Sequence, residues 1–166
     1  MKLSATDQSM AETYKDADTI SPTVFGVNPD PSELGCMAHS PDKSVRRLVS
    51  SHPLTDEKTI SLLSKDEDWV VRFCALSHKN CTLDTFLSLS NDPILHIRCR
   101  VFSSPKASPE LLEVGAKDPC PEVRICVVNH PLTRLETLAR LERDKDWGVA
   151  QGAKARVNHR FKSLTI

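Results

Sequence analysis

One register repeats through this chain at a constant step of 26 residues. Ser40, Asp66, Asp92, Asp118 and Asp144 head successive rows. Five positions after each comes a β-branched residue: Val45, Val71, Ile97, Val123 and Val149. One further on stand Arg46, Arg72, Arg98 and Arg124, and only the last row breaks, with Ala150. Six more positions bring His52, His78, Ser104 and His130, and Pro follows three of them, as Pro53, Pro105 and Pro131. A period of this length without a gap predicts stacked units, each burying a face against the next. It excludes a fold built around one central core.

Each unit reads as two helices. The first starts from Ser40, Asp66, Asp92, Asp118 or Asp144 as N-cap, whose side-chain oxygen accepts from unpaired backbone N–H groups. Pro41, Pro93 and Pro119 then fall at the first helical position, where a missing N–H costs nothing. Asp42, Asp68, Glu122 and Asp146 fill the first turn, on the favourable side of the helix dipole. Apolar residues follow at helical spacing, as in Val45–Leu48–Val49 and Val123–Cys126–Val127. The helix has to stop before the His-Pro step, because a residue preceding Pro avoids the α region. Thr55, Thr82, Ser108 and Thr133 are read as caps of the second helix, with Thr133 and Glu136 spaced as a capping box. Its buried face is Ile60/Leu63, Phe86/Leu89, Leu112 with small Gly115, and Leu138/Leu141. So short a helix can be α or 3₁₀.

The expected fold is therefore all-α. It is a solenoid of about 4–5 tandem units, each an α-helix plus a short α- or 3₁₀-helix. Residues 1–22 read as a polar arm or cap with a short helical piece near Met10–Tyr14. The repeat domain covers 23–157, with full units at 40–65, 66–91, 92–117 and 118–143. Residues 23–39 match the second half of a unit shortened by two residues, pairing Asn28-Pro29 with His52-Pro53 and Leu34 and Met37 with Ile60 and Leu63. A half unit starts at Asp144, and 158–166 form a tail whose apolar end, Phe161 to Ile166, could join a homodimer.

Composition narrows the function. Lys plus Arg and Asp plus Glu both number 22, so the net charge is zero, which argues against a strongly basic nucleic-acid surface. Aromatic residues are only 5%, leaving few stacking platforms for bases. No apolar run could span a bilayer and no signal-peptide core is present, so a cytoplasmic protein is expected. The six cysteines show no CxxC spacing. Cys74 and Cys126 share a column two units apart, beyond disulfide reach at a helix-packing step of roughly 8–10 Å. They read as small core residues.

The pattern Asp118-Pro119-Cys120-Pro121-Glu122-Val123-Arg124, with Ser108-Pro109-Glu110-Leu111-Leu112, resembles the leucine-rich repeat variant (LRV) family. The resemblance extends over residues 28–157. It implies a bacterial protein and a right-handed superhelix of alternating α- and 3₁₀-helices without strands. HEAT-like repeats are a neighbouring reading, although their units are usually longer. Some LRV proteins carry an N-terminal iron–sulfur cluster. Here only Cys36 precedes residue 74, whereas a cluster needs four closely spaced thiolates. No cofactor is expected.

Three sets of residues invite chemistry. The column Arg46, Arg72, Arg98, Arg124 is either an anion-binding face, which would suit nucleic acid, or a ladder pairing each Arg with a carboxylate of a neighbouring unit. The ladder is favoured, because carboxylates recur with the same period. The column His52, His78, His130 suggests a metal site, but successive units set these residues too far apart for one ion; helix capping explains them. Cys74/His78 and Cys126/His130 are i, i+4 pairs that could combine nucleophile and base, yet both fall in packing and capping columns. No enzyme motif is found. The expected function is non-catalytic protein–protein interaction across an extended face. Trp69 and Trp147, flanked by Asp68 and Arg72, are the first choice of contact residues.

Overall fold

The computed structural model describes residues 29–164, with side chains to residue 160. The proposed arm at 1–22, the match at Asn28 and the side chains of the apolar C-terminal end lie outside the described residues. Among the described residues ten helices run in order: α1 (Pro31–Met37), α2 (Lys43–Ser51), α3 (Glu57–Leu63), α4 (Trp69–Ser77), α5 (Leu83–Leu89), α6 (Leu95–Ser103), α7 (Pro109–Gly115), α8 (Pro121–Asn129), α9 (Leu135–Leu141) and α10 (Trp147–Leu164). Among the described residues there is no strand. The period is kept in the structure: α2, α4, α6 and α8 each span nine residues, and α3, α5, α7 and α9 each span seven. The short helices are α-helical, which settles the choice between α and 3₁₀.

Long helices stack in chain order, α2 on α4, α4 on α6, α6 on α8 and α8 on α10. Each short helix packs against the long helix of its own unit or of the next. None of these helices is long enough to be stable alone in water, so the interfaces between units hold the array together. The core is one continuous cluster. Val49, Ala75, Val101, Val127 and Ala153 form one fully buried column, and Val71, Ile97, Val123 and Val149 another. On the short helices the column is Leu34, Ile60, Phe86, Leu112 and Leu138. Leu34 belongs to it at the full 26-residue step, so α1 is an unshortened short helix and the two-residue deficit lies ahead of it.

Side-chain volumes compensate across an interface. Gly115 stands where the equivalent short-helix positions hold Leu63, Leu89 and Leu141. A Cβ there would lie 2.5 Å from Phe102 Cδ1 and 2.8 Å from Val127 Cγ2. Phe102 in turn occupies a column otherwise filled by Ser50, Leu76, Val128 and Lys154. The largest side chain of one column therefore faces the smallest of the other.

The cap register differs from the sequence expectation by two residues. The long helices start from Asp42, Asp68, Ile94 and Cys120 as N-caps, and the aspartates make the cap bonds: Asp42 accepts from Ser44 N–H and Asp68 from Val70 and Val71 N–H. Pro41, Pro93 and Pro119 thus precede the helices, and the prolines inside first turns are Pro31, Pro109 and Pro121. On the short helices Thr82 and Ser108 cap as expected, whereas Asp56 and Arg134 hold the cap positions assigned to Thr55 and Thr133. Thr55 and Thr133 are buried and donate backwards, at 2.5 Å, to the carbonyls of Val49 and Val127. They close the preceding long helix instead of opening the next one. At the other end, α10 continues past residue 157 to Leu164 without a break.

Candidate functional site

The aspartates displaced from the cap role have another partner. Asp66, Asp92, Asp118 and Asp144 each receive a two-pronged bond from the Arg of the preceding unit. Nε and Nη2 reach the two carboxylate oxygens at 2.6 and 2.9 Å for Arg46–Asp66 and at 2.7 and 3.0 Å for Arg72–Asp92. The Arg98–Asp118 and Arg124–Asp144 pairs repeat this, the latter at 2.8 Å on both prongs. Nη1 of each Arg donates to the carbonyl of its own row's first residue, as Arg72 does to Asp66 at 2.8 Å. One carboxylate oxygen also accepts the backbone N–H two residues ahead, as Asp92 does from Ile94 at 2.8 Å. The bond to Asp92 raises Arg72 above the usual arginine value against the opposing effect of burial. The bond from Arg124 holds Asp144 below the usual carboxylate range. This is the ladder reading of the column. It leaves the guanidinium groups almost buried and already bidentate, which is poor preparation for a phosphate ligand.

The histidine column forms a second seam. His52, His78 and His130 are C-caps of the long helices, and Ser104 replaces them on α6. His78 Nδ1 accepts from Asn80 N–H at 3.1 Å, which leaves Nε2–H to donate to the His52 carbonyl of the unit before, at 3.0 Å. His130 does the same with Leu132 N–H and the Ser104 carbonyl. Burial keeps His78 below the ordinary histidine value, although the His52 carbonyl works in the opposite direction. With both ring nitrogens engaged, His78 is not placed to act as a base for Cys74, although both line one open groove of about 360 Å³ with Phe73 and Pro53. Among the described residues no group of three or more His, Cys, Asp or Glu side chains could hold a metal ion. None of their helices is long and apolar enough to cross a membrane.

Of the residues singled out as contacts, Trp147 alone is open, at 78% exposure. Trp69 is half-buried against the core. Asp68 caps α4 and meets the Lys43 ammonium at 3.3 Å, and Arg72 belongs to the ladder. The two tryptophans nevertheless mark a larger feature. Their column reads Trp69, Leu95, Pro121, Trp147, apolar in every row after Lys43. Four residues further along the same helices stand Phe73, Cys99 and Ile125, and i, i+4 side chains share a helix face. All seven are half-buried or exposed. A Cβ at Gly148, next to Trp147 in the chain, would sit 3.9 Å from Ile125 Cδ1, so Ile125 of one row approaches the helix that carries Trp147 of the next. The result is an apolar stripe two columns wide on α4, α6 and α8, which narrows to Trp147 on α10, where Gln151 stands in the second column. Reading the third and seventh position after each row's first residue would have revealed it in the sequence. Further exposed apolar side chains, Leu62, Leu83, Leu87, Val114 and Leu135, lie on short helices; Leu62 and Val114 share one column, interrupted by Ser88, and Leu83 and Leu135 another, with Pro109 between them. No protein-family model matches the chain, and neither does any curated protein or solved structure.

Proposed function

We propose that this protein is a non-catalytic binding module that holds a protein or peptide partner along the outer face of its long helices. The observation that carries the reading is the apolar stripe from Trp69 to Trp147, which crosses four consecutive units. Aromatic anchors on a rigid surface are the usual centre of a protein contact, and a stacked array presents them at fixed spacing. The polar columns beside the stripe support the reading from the other direction. Their arginines, with His78 and His130, are spent on bonds between units, so recognition falls to the side chains left over. An Arg-based nucleic-acid surface gains no such support. The motif at Asp118–Arg124 favours kinship with the LRV family and with it a right-handed solenoid.

Selection from a random peptide display library tests this. Peptides retained by the wild type should be rich in apolar residues and should be lost with Trp147→Ala or Ile125→Ser. Leu83→Ser, on a short helix, should retain them. Equal loss with Leu83→Ser, or retention by Trp147→Ala, would place binding elsewhere.

A further inference from the structure

Three cations stand where the repeat does not call for charge. Lys79 takes the place that Pro53, Pro105 and Pro131 hold in other rows. Arg100 shares its column with Leu48, Cys74, Cys126 and Gly152, and Lys106 with Leu54, Asn80, Leu132 and Asn158. Each is the one charged residue of its column, so the stacking of units does not require it. The fold gathers all three at the C-terminal ends of α4 and α6. Lys79 lines the groove of about 360 Å³ that also holds Cys74. Arg100 and Lys106 line a second cavity, of about 180 Å³, and Ser77 and His78 belong to both. No carboxylate lines either one. A further groove of about 320 Å³, beside α7, is mixed instead, with Glu113 and Asp118 next to Lys117.

The cations are available to a ligand. The side chains of Lys79 and Arg100 are exposed and pair with no carboxylate among the described residues. Lys106 donates to the carbonyls of Lys79 and Cys81, at 3.2 and 3.3 Å, and so carries its charge to the rim of the groove. Helix C-termini ordinarily repel an anion. Here the effect is blunted, because the carbonyls of His52, Thr55, Lys79 and Cys81 already accept bonds from His78, Asn80 and Lys106. Lys79 and Lys106 add to burial in holding the His78 pKa down, as a positive local potential does. Phe73 belongs both to the first groove and to the apolar stripe, so the two form one surface. Arg47 heads the second column of that stripe, and its Nη2 is buried without a hydrogen-bond partner.

We propose that the partner is an acidic peptide, whose apolar side chains lie on the stripe and whose carboxylates lie in the groove against Lys79, Arg100 and Lys106. The inference rests on the stripe as the binding face and adds the charge of what it binds. Uncompensated cations beside an apolar contact draw in an anionic segment and reject a cationic one. They therefore set which apolar peptides are accepted, whereas the stripe holds them.

The test selects from a random peptide display library on the full chain at low ionic strength and sequences what is retained. Retained peptides should be enriched in Asp and Glu beside apolar residues and depleted in Lys and Arg. The double variant Lys79→Gln with Arg100→Gln, shown to be folded by far-UV circular dichroism, should lose the acidic enrichment. A labelled peptide from the wild-type selection should bind that variant at least about tenfold more weakly in fluorescence anisotropy. Lys65→Gln with Lys145→Gln removes the same charge at the opposite ends of the long helices and should leave both readouts unchanged. Apolar peptides that are neutral or basic would overturn the inference and leave the stripe standing as the binding face. Acidic peptides without apolar residues would instead remove the stripe from the contact and overturn both readings. Equal loss of acidic enrichment in the two double variants would reduce the effect to net charge and overturn the groove. Tighter binding of labelled oligothymidylate than of any selected peptide would assign the groove to nucleic acid and overturn it as well.

Discussion

The substitution Arg72→Met cuts one rung of the ladder and leaves the rest of its unit in place. Asp92 is 3% exposed and Arg72 12%, so the pair is shielded from solvent. Methionine fills much of the arginine stem but returns no donor. The Asp92 carboxylate keeps only the Ile94 N–H at 2.8 Å, and the carbonyls of Asp66 and Glu67 lose Nη1. Stranding a buried charge in this way costs about 3–5 kcal/mol, against about 0–1 kcal/mol for an exposed pair. For a chain of this size each kcal/mol lowers the melting midpoint by about 2–4 °C, so a fall of roughly 6–20 °C is expected. Thermal and urea unfolding followed by far-UV circular dichroism measures it. Adding Asp92→Asn to Arg72→Met should recover part of the loss, because the amide still accepts from Ile94 N–H and carries no charge to strand. Lys43→Met gives the contrast within the same array, since that lysine is 66% exposed where it meets Asp68 and its loss should cost less than about 1 kcal/mol. The deficit of Arg72→Met should persist at about 1 M salt, where screening acts over about 3 Å in solvent but little on a buried pair. A cost below about 1 kcal/mol, or one abolished by salt, would refute the ladder as the seam between units.

Three further outcomes follow from the same geometry. His78 has its pKa lowered from 6.5 in the folded chain, so the unfolded chain binds the proton first; its contribution to stability is full above pH 6.5 and declines as the pH falls through that value towards the lower folded pKa. Urea midpoints across this window should show the decline, and His78→Gln should flatten it. Gly115→Leu should destabilise by about 1–3 kcal/mol through overpacking against Phe102, and Gly115→Leu with Phe102→Leu, which restores the volumes of the preceding unit, should regain most of the midpoint. Trp147→Ala should change stability by no more than about 0.5 kcal/mol, since the side chain is exposed, so any loss of peptide binding would report contact and not unfolding.

The period alone determined that the described residues are helical and which columns are core: Ile97, Leu112 and Val127 are buried as their spacing requires. It also paired the arginines with carboxylates, because both recur at the same step. Tertiary structure decided which carboxylate does which task. Two aspartates two residues apart, such as Asp66 and Asp68, are equally good caps by type; only the approach of Arg46 from the previous unit commits Asp66 to the ladder and leaves Asp68 to the helix. Thr133 likewise sits one residue before the cap position because its hydroxyl has a buried carbonyl, that of Val127, within reach. The same limit hid the exchange of Phe102 for Gly115. Aligning rows compares residues that occupy equivalent places, each a packing distance apart. The contacts between units join different columns, at separations such as 20 residues for Arg72 and Asp92 and 27 for Arg140 and Glu113, and only the stacking of one helix on the next fixes those.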